Sequence, residues 1–219
     1  NAISKIIRWA YRGFDRPFLC YDLPLINSST HRYALMQYLL PSENGINNYR
    51  AICTTRESYA YVWNSILMVD LPVDNGMISS SSGSRSYIFP LRTKQSNIES
   101  KWIEHLSERF NANVNEEDLF YYVYAILNCP EYRMRYNDML KREFPKIPLD
   151  HCQTYQRFKS LSDLGKQMGD LHCFQIDQSI EKNYDISFPI ECEDDLRITS
   201  KIQEQYSEEQ EKIYFNPKF

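Results

Sequence analysis

The chain has 219 residues, of which 42% are hydrophobic and 14% aromatic, enough to bury one large core or two modest ones and too much for a disordered segment. Its formal charge of −4 excludes a uniformly basic nucleic-acid binder, and no apolar run is long enough to span a bilayer. The charge is uneven: residues 1–110 carry 12 Lys/Arg against 9 Asp/Glu, residues 111–175 carry 8 against 9, and residues 176–219 carry 5 against 11.

The opening "AISKIIRWAYR" is amphipathic and has no secretory h-region, so a cytosolic protein without membrane contact is expected. Asn1 in place of an initiator Met points to a piece of a longer chain. From residue 14 to 95 short apolar or β-branched runs alternate with turn chemistry: "RPFLCYD", "YRAICTT", "YAYVWNSILMVD", "GMIS" and "SYIFPL". These predict strands, with one helix-like interruption at "THRYALMQYLL", where Tyr33, Met36 and Leu40 fall on one face. "DNG" at Asp74 to Gly76 is a turn signal in which Gly is free to take positive φ, and "SSSSGSRS" is a polar loop.

The period then changes. "NIESKWIEHLSERF" places Ile98, Trp102, Leu106 and Phe110 on a four-residue stripe, and "NEEDLFYYVYAILN" starts a helix with Asn115 as N-cap and three acids in its first turn. Cys129-Pro130 breaks the pattern, and "EYRMRYNDMLKREF" restarts it with Tyr132, Tyr136, Met139 and Leu140 near one face. "PKIPL" must be extended, because neither proline can donate to a helix or a central ladder. A last amphipathic helix carries Tyr155, Phe158, Leu161, Leu164, Met168 and Leu171, after which short strands are expected at "SFPIE", "LRITS" and "KIYFN" in an acidic tail. The fold expected is therefore α+β: a strand-rich part (1–97), a helical part (98–175) and a short β/acidic segment (176–219).

Six cysteines lack any C-x-x-C spacing, which predicts reduced and mostly buried thiols rather than a metal or redox site. There is no P-loop, no Gly-rich cofactor loop after a strand and no nuclease carboxylate-lysine cluster. "NPKF" at Asn216 to Phe219 faintly resembles the N-P-P-[YF] loop of amino-methyltransferases but reads better as a turn.

"YRGFDRPFLCYD" at Tyr11 to Asp22 resembles the Y-R-P-F-D-x-R-x-x-Y-Y-D signature in the specificity region of type ISP and related type IIG restriction-modification enzymes. "FPL", "YYVYAILNCPEYRMRYNDMLKREFPKIPL" and "LSDLGKQMGDLHCF" are similar to the same region in the same order, so the likeness runs over most of residues 7–174. Gly13 stands where the family usually has Pro, and Cys20 where an aromatic is common. The resemblance implies a target recognition domain that binds double-stranded DNA and has no catalysis of its own. It also implies methyltransferase and nuclease domains elsewhere in the same prokaryotic polypeptide, using S-adenosylmethionine, Mg and, in translocating members, ATP for adenine N6-methylation and cleavage.

Base sequence is read by donors held rigidly against groove edges, whereas phosphate contacts set register. The candidate DNA contacts are Arg12, Arg16, Arg32, Arg50, Arg56, Ser58, Arg85 and Lys94. Arg12 and Arg16 flank Asp15, so an ion pair that fixes the turn competes with DNA contact. Arg56 and Ser58 sit between strand-like runs, either in a loop aimed at a groove or at a solvated hairpin tip. Arg85 in a Ser/Gly loop is the most attractive guanine reader, with a surface charge as its alternative. The cations from Arg133 to Lys146 are interleaved with Glu131, Asp138 and Glu143, which predicts intrahelical pairing on a solvated face. The competing class is a non-catalytic protein-protein interaction or scaffolding module built on the tyrosine-rich helices and the acidic tail.

Overall fold

A computed structural model describes residues 5–21, 50–78, 85–93 and 96–175, and the strand positions 206–207 and 212–213. The chain divides into two compact units, Asn1–Ile176 and Asp177–Phe219. In the first unit β1 (Lys5–Arg8) pairs antiparallel with β2 (Phe18–Tyr21), and β3 (Ala51–Thr55) lies between β4 (Ile66–Val69) and β5 (Ser86–Pro90), antiparallel to both. Four helices follow among the described residues: α1 (Ser100–Phe110), α2 (Glu116–Asn128), α3 (Pro130–Leu140) and α4 (Tyr155–His172). In the second unit β6 (Tyr206–Ser207) pairs antiparallel with β7 (Lys212–Ile213). The α+β class expected from the sequence is what forms. The helix at 30–40, the strands at 187–191 and 196–200 and the turn at 216–219 lie outside the described residues.

All five residues of β3 are buried because both faces of its sheet are covered. Ile52, Ile66 and Met68 point to Phe120, Tyr121, Tyr124 and Leu127 of α2, while Ala51, Cys53, Val69 and Ile88 pack with Ala10, Val73 and Met77. Burial pushes the Cys53 thiol up to about 12, so it acts as a small hydrophobe. β5 alternates buried and exposed residues, and its Pro90 closes a strand paired on one side, the place where a missing N–H is tolerated.

Two local expectations are corrected. Only Ile66–Val69 of "YAYVWNSILMVD" is strand, because the Trp63 amide bonds to Asn137 Oδ1 (2.9 Å) and the Tyr61 carbonyl accepts from Lys141 Nζ instead of a ladder partner. The "DNG" turn forms, but the Gly76 amide closes it on Asp74 Oδ1 (2.7 Å) and the positive φ falls on Gly13 (φ 49°). There the Asp15 amide donates to the Arg12 carbonyl (2.8 Å) in a tight reversal that links β1 to β2. A proline, fixed near φ −65°, could not take this conformation.

Helix boundaries follow their chemistry. Asn115 caps α2 by accepting from the Asp118 amide (2.9 Å), and Asp118 closes the reciprocal bond while also pairing with Lys159 of α4 (2.6 Å). Pro130 opens α3 as its first residue, where its missing N–H costs nothing. The 145–148 segment is extended and ends in a 3-10 turn at Leu149–His151.

The buried line of α4 differs from the predicted apolar stripe. It runs through Phe158, Ser162, Gly165 and Gly169, leaving Leu164 and Leu171 about half exposed. The reason is proximity: a Cβ on Gly165 would lie 2.0 Å from the Tyr121 carbonyl oxygen of α2, and one on Gly169 would lie 3.2 Å from Met68 Cε of β4. Backbone packs against backbone at the first position, so large side chains are excluded and the leucines are turned outward.

Gly165→Ala is therefore expected to lower the unfolding free energy by at least the ~1–3 kcal/mol typical of overpacking, because rigid backbone must move. Gly169→Ala should cost less, since a flexible methionine can shift. Urea titration of the two variants checks the order.

Candidate nucleic-acid interface

The candidate arginines separate along the length of β3. At its start Arg50 is buried and pairs with Asp170 of α4 (2.5 Å) while donating to Tyr121 Oη (3.3 Å) and to Gln175. Burial alone would depress this guanidinium, but Tyr121 and Asp170 hold it above its ordinary value. Extending the β3–β4 register one step places Asp70 opposite Arg50, and Asp70 binds Arg16 at 2.9 Å. Arg16 also donates to the His172 carbonyl (3.4 Å) and lies over the Phe174 ring, 4.7 Å from its centroid. Arg16 and Arg50 thus bind the sheet to the end of α4. The expected ion pair through Asp15 is replaced by the Asp70 bridge, and the Arg12–Asp15 link is made by backbone alone.

The far end of β3 is different. β3 pairs Thr55 with Ser86, so one residue further Arg56 comes opposite Arg85; on the other side the ladder ends at Thr54 and Ile66, whose amide turns back to the Asn64 carbonyl (2.9 Å). Arg56, Arg85 and Asn64 are exposed, and neither guanidinium has an ion pair among the described residues. Two cations facing each other across the end of a ladder repel, a cost that an anion between them removes. Arg12, with Gly13, Asn64, Gly76, Met77 and Ile78, lines a cleft of about 320 Å³. The structure therefore sets Arg56 next to Arg85 in register, places Arg12 in a cleft with Asn64, separates Arg16 and Arg50 from them, and leaves Arg32 and Lys94 outside the described residues.

Ser58 is a support. Its amide is held by the Lys141 carbonyl, and its Oγ receives the Ser65 hydroxyl (3.2 Å) and the Ala60 amide (3.4 Å), which fixes the bend of the β3–β4 loop. The cations between Arg133 and Lys146 follow the local pairing predicted only in part. Arg133 caps the end of α2 through the Leu127 carbonyl (2.7 Å) and Asn128 Oδ1 (2.6 Å), and Lys141 donates to the Tyr61 carbonyl, while Lys146 pairs with Glu143 at 3.0 Å. Sequence reasoning had no signal for the first two, because their partners are backbone carbonyls and, for Arg133, a neutral asparagine rather than a carboxylate. It also missed Asn64 and the exposed rings of Tyr59 and Tyr61, since these lie in a stretch whose composition reads as strand.

A second surface is an apolar cleft of about 680 Å³ on the helix-facing side of the sheet, lined by Ile52, Phe89, Trp102, Phe120, Phe144 and Ile147 among others. Among the described residues no cluster of His, Cys, Asp and Glu is disposed to hold a metal, and no helix is long and apolar enough to cross a membrane.

The sequence model of the Type ISP C-terminal specificity domain matches residues 1–218. The chain belongs to this family. Solved structures with a similar fold include the DrdV-DNA complex (TM-score 0.59, 21% identity, 91% of this chain and 20% of that one). The ATP-dependent Type ISP enzyme LlaBIII bound to DNA gives 0.54 and 22%, over 78% of this chain and 11% of that one. A nuclease-deletion mutant of the Type ISP enzyme LlaGI with a DNA substrate mimic gives 0.50 and 21%, over 78% and 14%. The specificity domain thus spans between about a tenth and a fifth of the length of these proteins. No curated protein matches the chain.

The inner end of the sheet gives the specificity domain a pH-dependent lock. Tyr124 Oη accepts from the Met68 amide (2.8 Å) and shares a hydrogen bond with His172 Nδ1, which ties the neutral imidazole to the sheet. Burial and the nearby Arg133 charge lower the His172 pKa below its usual 6.5. In the unfolded chain the imidazole protonates first, so this stability is present above about 6.5 and lost as pH falls toward the folded value. Denaturant midpoints should drop between pH about 7.5 and about 5.5, and the drop should flatten in His172→Gln.

Proposed function

We propose that the open end of the sheet reads duplex DNA and that the chain is the non-catalytic, site-choosing part of a restriction-modification polypeptide in a prokaryotic cytoplasm. The observation that carries this reading is the Arg56–Arg85 pair, two exposed arginines next to each other in register at the end of the ladder, without an ion pair among the described residues; Arg12 and Asn64 line a cleft of their own. Such forks suit guanine edges and phosphates, and Asn suits adenine. Membership in the specificity-domain family supports it, as do the DNA complexes of the three structural neighbours. Net negative charge does not oppose it, because the acidic excess lies in residues 176–219.

Methylation and cleavage belong in this scheme to other domains of the same polypeptide, with S-adenosylmethionine, Mg and, for a translocating enzyme, ATP as their cofactors. The specificity domain holds neighbouring base pairs while the target adenine is turned out of the stack. Its contribution is positional: a bidentate arginine contact discriminates by roughly 1–3 kcal/mol against the wrong base.

A second reading, an interaction module, rests on the 680 Å³ apolar cleft, in which Trp102 and Phe89 remain more than a third exposed. Selection from a random duplex pool at low and moderate salt separates the two. A reader of DNA enriches one short motif; an interaction module enriches none. Arg85→Ala is expected to relax the motif at one position, and Arg56→Ala to reduce the salt slope by about one with the motif kept.

A further inference from the structure

The loop Arg56–Asn64 presents a surface that arginine contacts alone leave unexplained. Tyr61 is 92% exposed, Tyr59 73% and Val62 52%, three large apolar side chains within four positions. Exposed side chains on a mobile loop mean little, but this loop is fastened at both ends and in the middle. The Ser58 amide bonds to the Lys141 carbonyl (3.1 Å), the Trp63 amide to Asn137 Oδ1 (2.9 Å), and the Tyr61 carbonyl accepts from Asn137 Nδ2 (3.5 Å) and Lys141 Nζ. The Trp63 side chain is fully buried beneath the loop and serves as its root. All of these anchors except Trp63 use backbone groups of the loop, so the tyrosine rings are held out with no packing role of their own.

We infer that Tyr59 and Tyr61 form an aromatic wedge that stacks on a base step of bound duplex DNA, partly opening it beside the contacts of Arg56 and Arg85. The inference rests on the DNA-reading function proposed above. Charge favours this occupant: Arg56 begins the loop, Arg85 faces Arg56 across the ladder, and Lys141 Nζ lies 5.7 Å from the Tyr61 ring centroid, whereas Glu57 is the single carboxylate of the segment. Apolar side chains carried into a groove between cationic contacts unstack base steps and bend the duplex, and an aromatic ring stacks on any base. The two roles divide cleanly. The guanidiniums set register and sequence; the rings hold a deformed step and make the choice of site sensitive to how easily that step unstacks.

The test uses the 219-residue chain and a short duplex recovered from the random-pool selection, with 2-aminopurine placed at each position in turn. Wild type should raise the fluorescence at one or two adjacent positions. The double variant Tyr59→Ala/Tyr61→Ala should lose that signal and bind about tenfold more weakly with an unchanged salt slope, while Tyr61→Phe keeps both. Thermal melting should be the same for all three, since neither ring is packed in the core. If wild type binds without any fluorescence change, or the double-alanine variant binds and signals as wild type does, the wedge is overturned and the arginine surface stands. If wild type enriches no motif and binds no duplex, the DNA reading falls and the wedge falls with it.

Discussion

The approach of α4 to α2 at Gly165 is the constraint on which the rest of the first unit depends. With 2.0 Å between a hypothetical Cβ and the Tyr121 carbonyl, the two helices are as close as backbones allow, and the sheet is drawn in behind them through Gly169 and Met68. That proximity places the Asp170 carboxylate within reach of Arg50 and puts the His172 carbonyl near Arg16. A side chain of ordinary size at Gly165 would separate these partners and leave a buried guanidinium without its carboxylate, a far larger penalty than the lost contact.

From this follows a division of labour among arginines that look alike in sequence. Those at the inner end of β3 are consumed in joining sheet to helix. Those at the outer end have no internal carboxylate among the described residues, and the register of the ladder sets Arg56 and Arg85 against each other. A fold that neutralises one end of a strand and leaves the other uncompensated concentrates positive potential where the overall charge would not predict it. The helical half contributes by fixing the loop beside that end, through Asn137 of α3 and Lys141 just after it, which bind backbone atoms of residues 58–63.

The two cation sets also differ in what they can tolerate. Arg16 and Arg50 act through geometry that is fixed before any partner arrives, so changing them alters stability first. Arg12, Arg56 and Arg85 have no ion pair among the described residues, so changing them should alter stability little. The same logic holds within the loop, where the anchors are backbone and the presented rings are dispensable to folding.

The sequence by itself determined the class, the positions of α1 to α4, the Asn115 cap, the Pro130 start and the extended prolines, because each follows from local rules of period, capping and missing donors. Its motif likeness also placed the chain in its family. It did not determine which face of α4 is buried, since apolar residues three and four apart read as a core stripe until the backbone of α2 is known to occupy that space. Nor did it distinguish Arg50 from Arg56, six residues apart with similar surroundings in the chain. Only the tertiary structure decided that, because the carboxylate that engages one of them lies 120 residues away on α4 and nothing described engages the other.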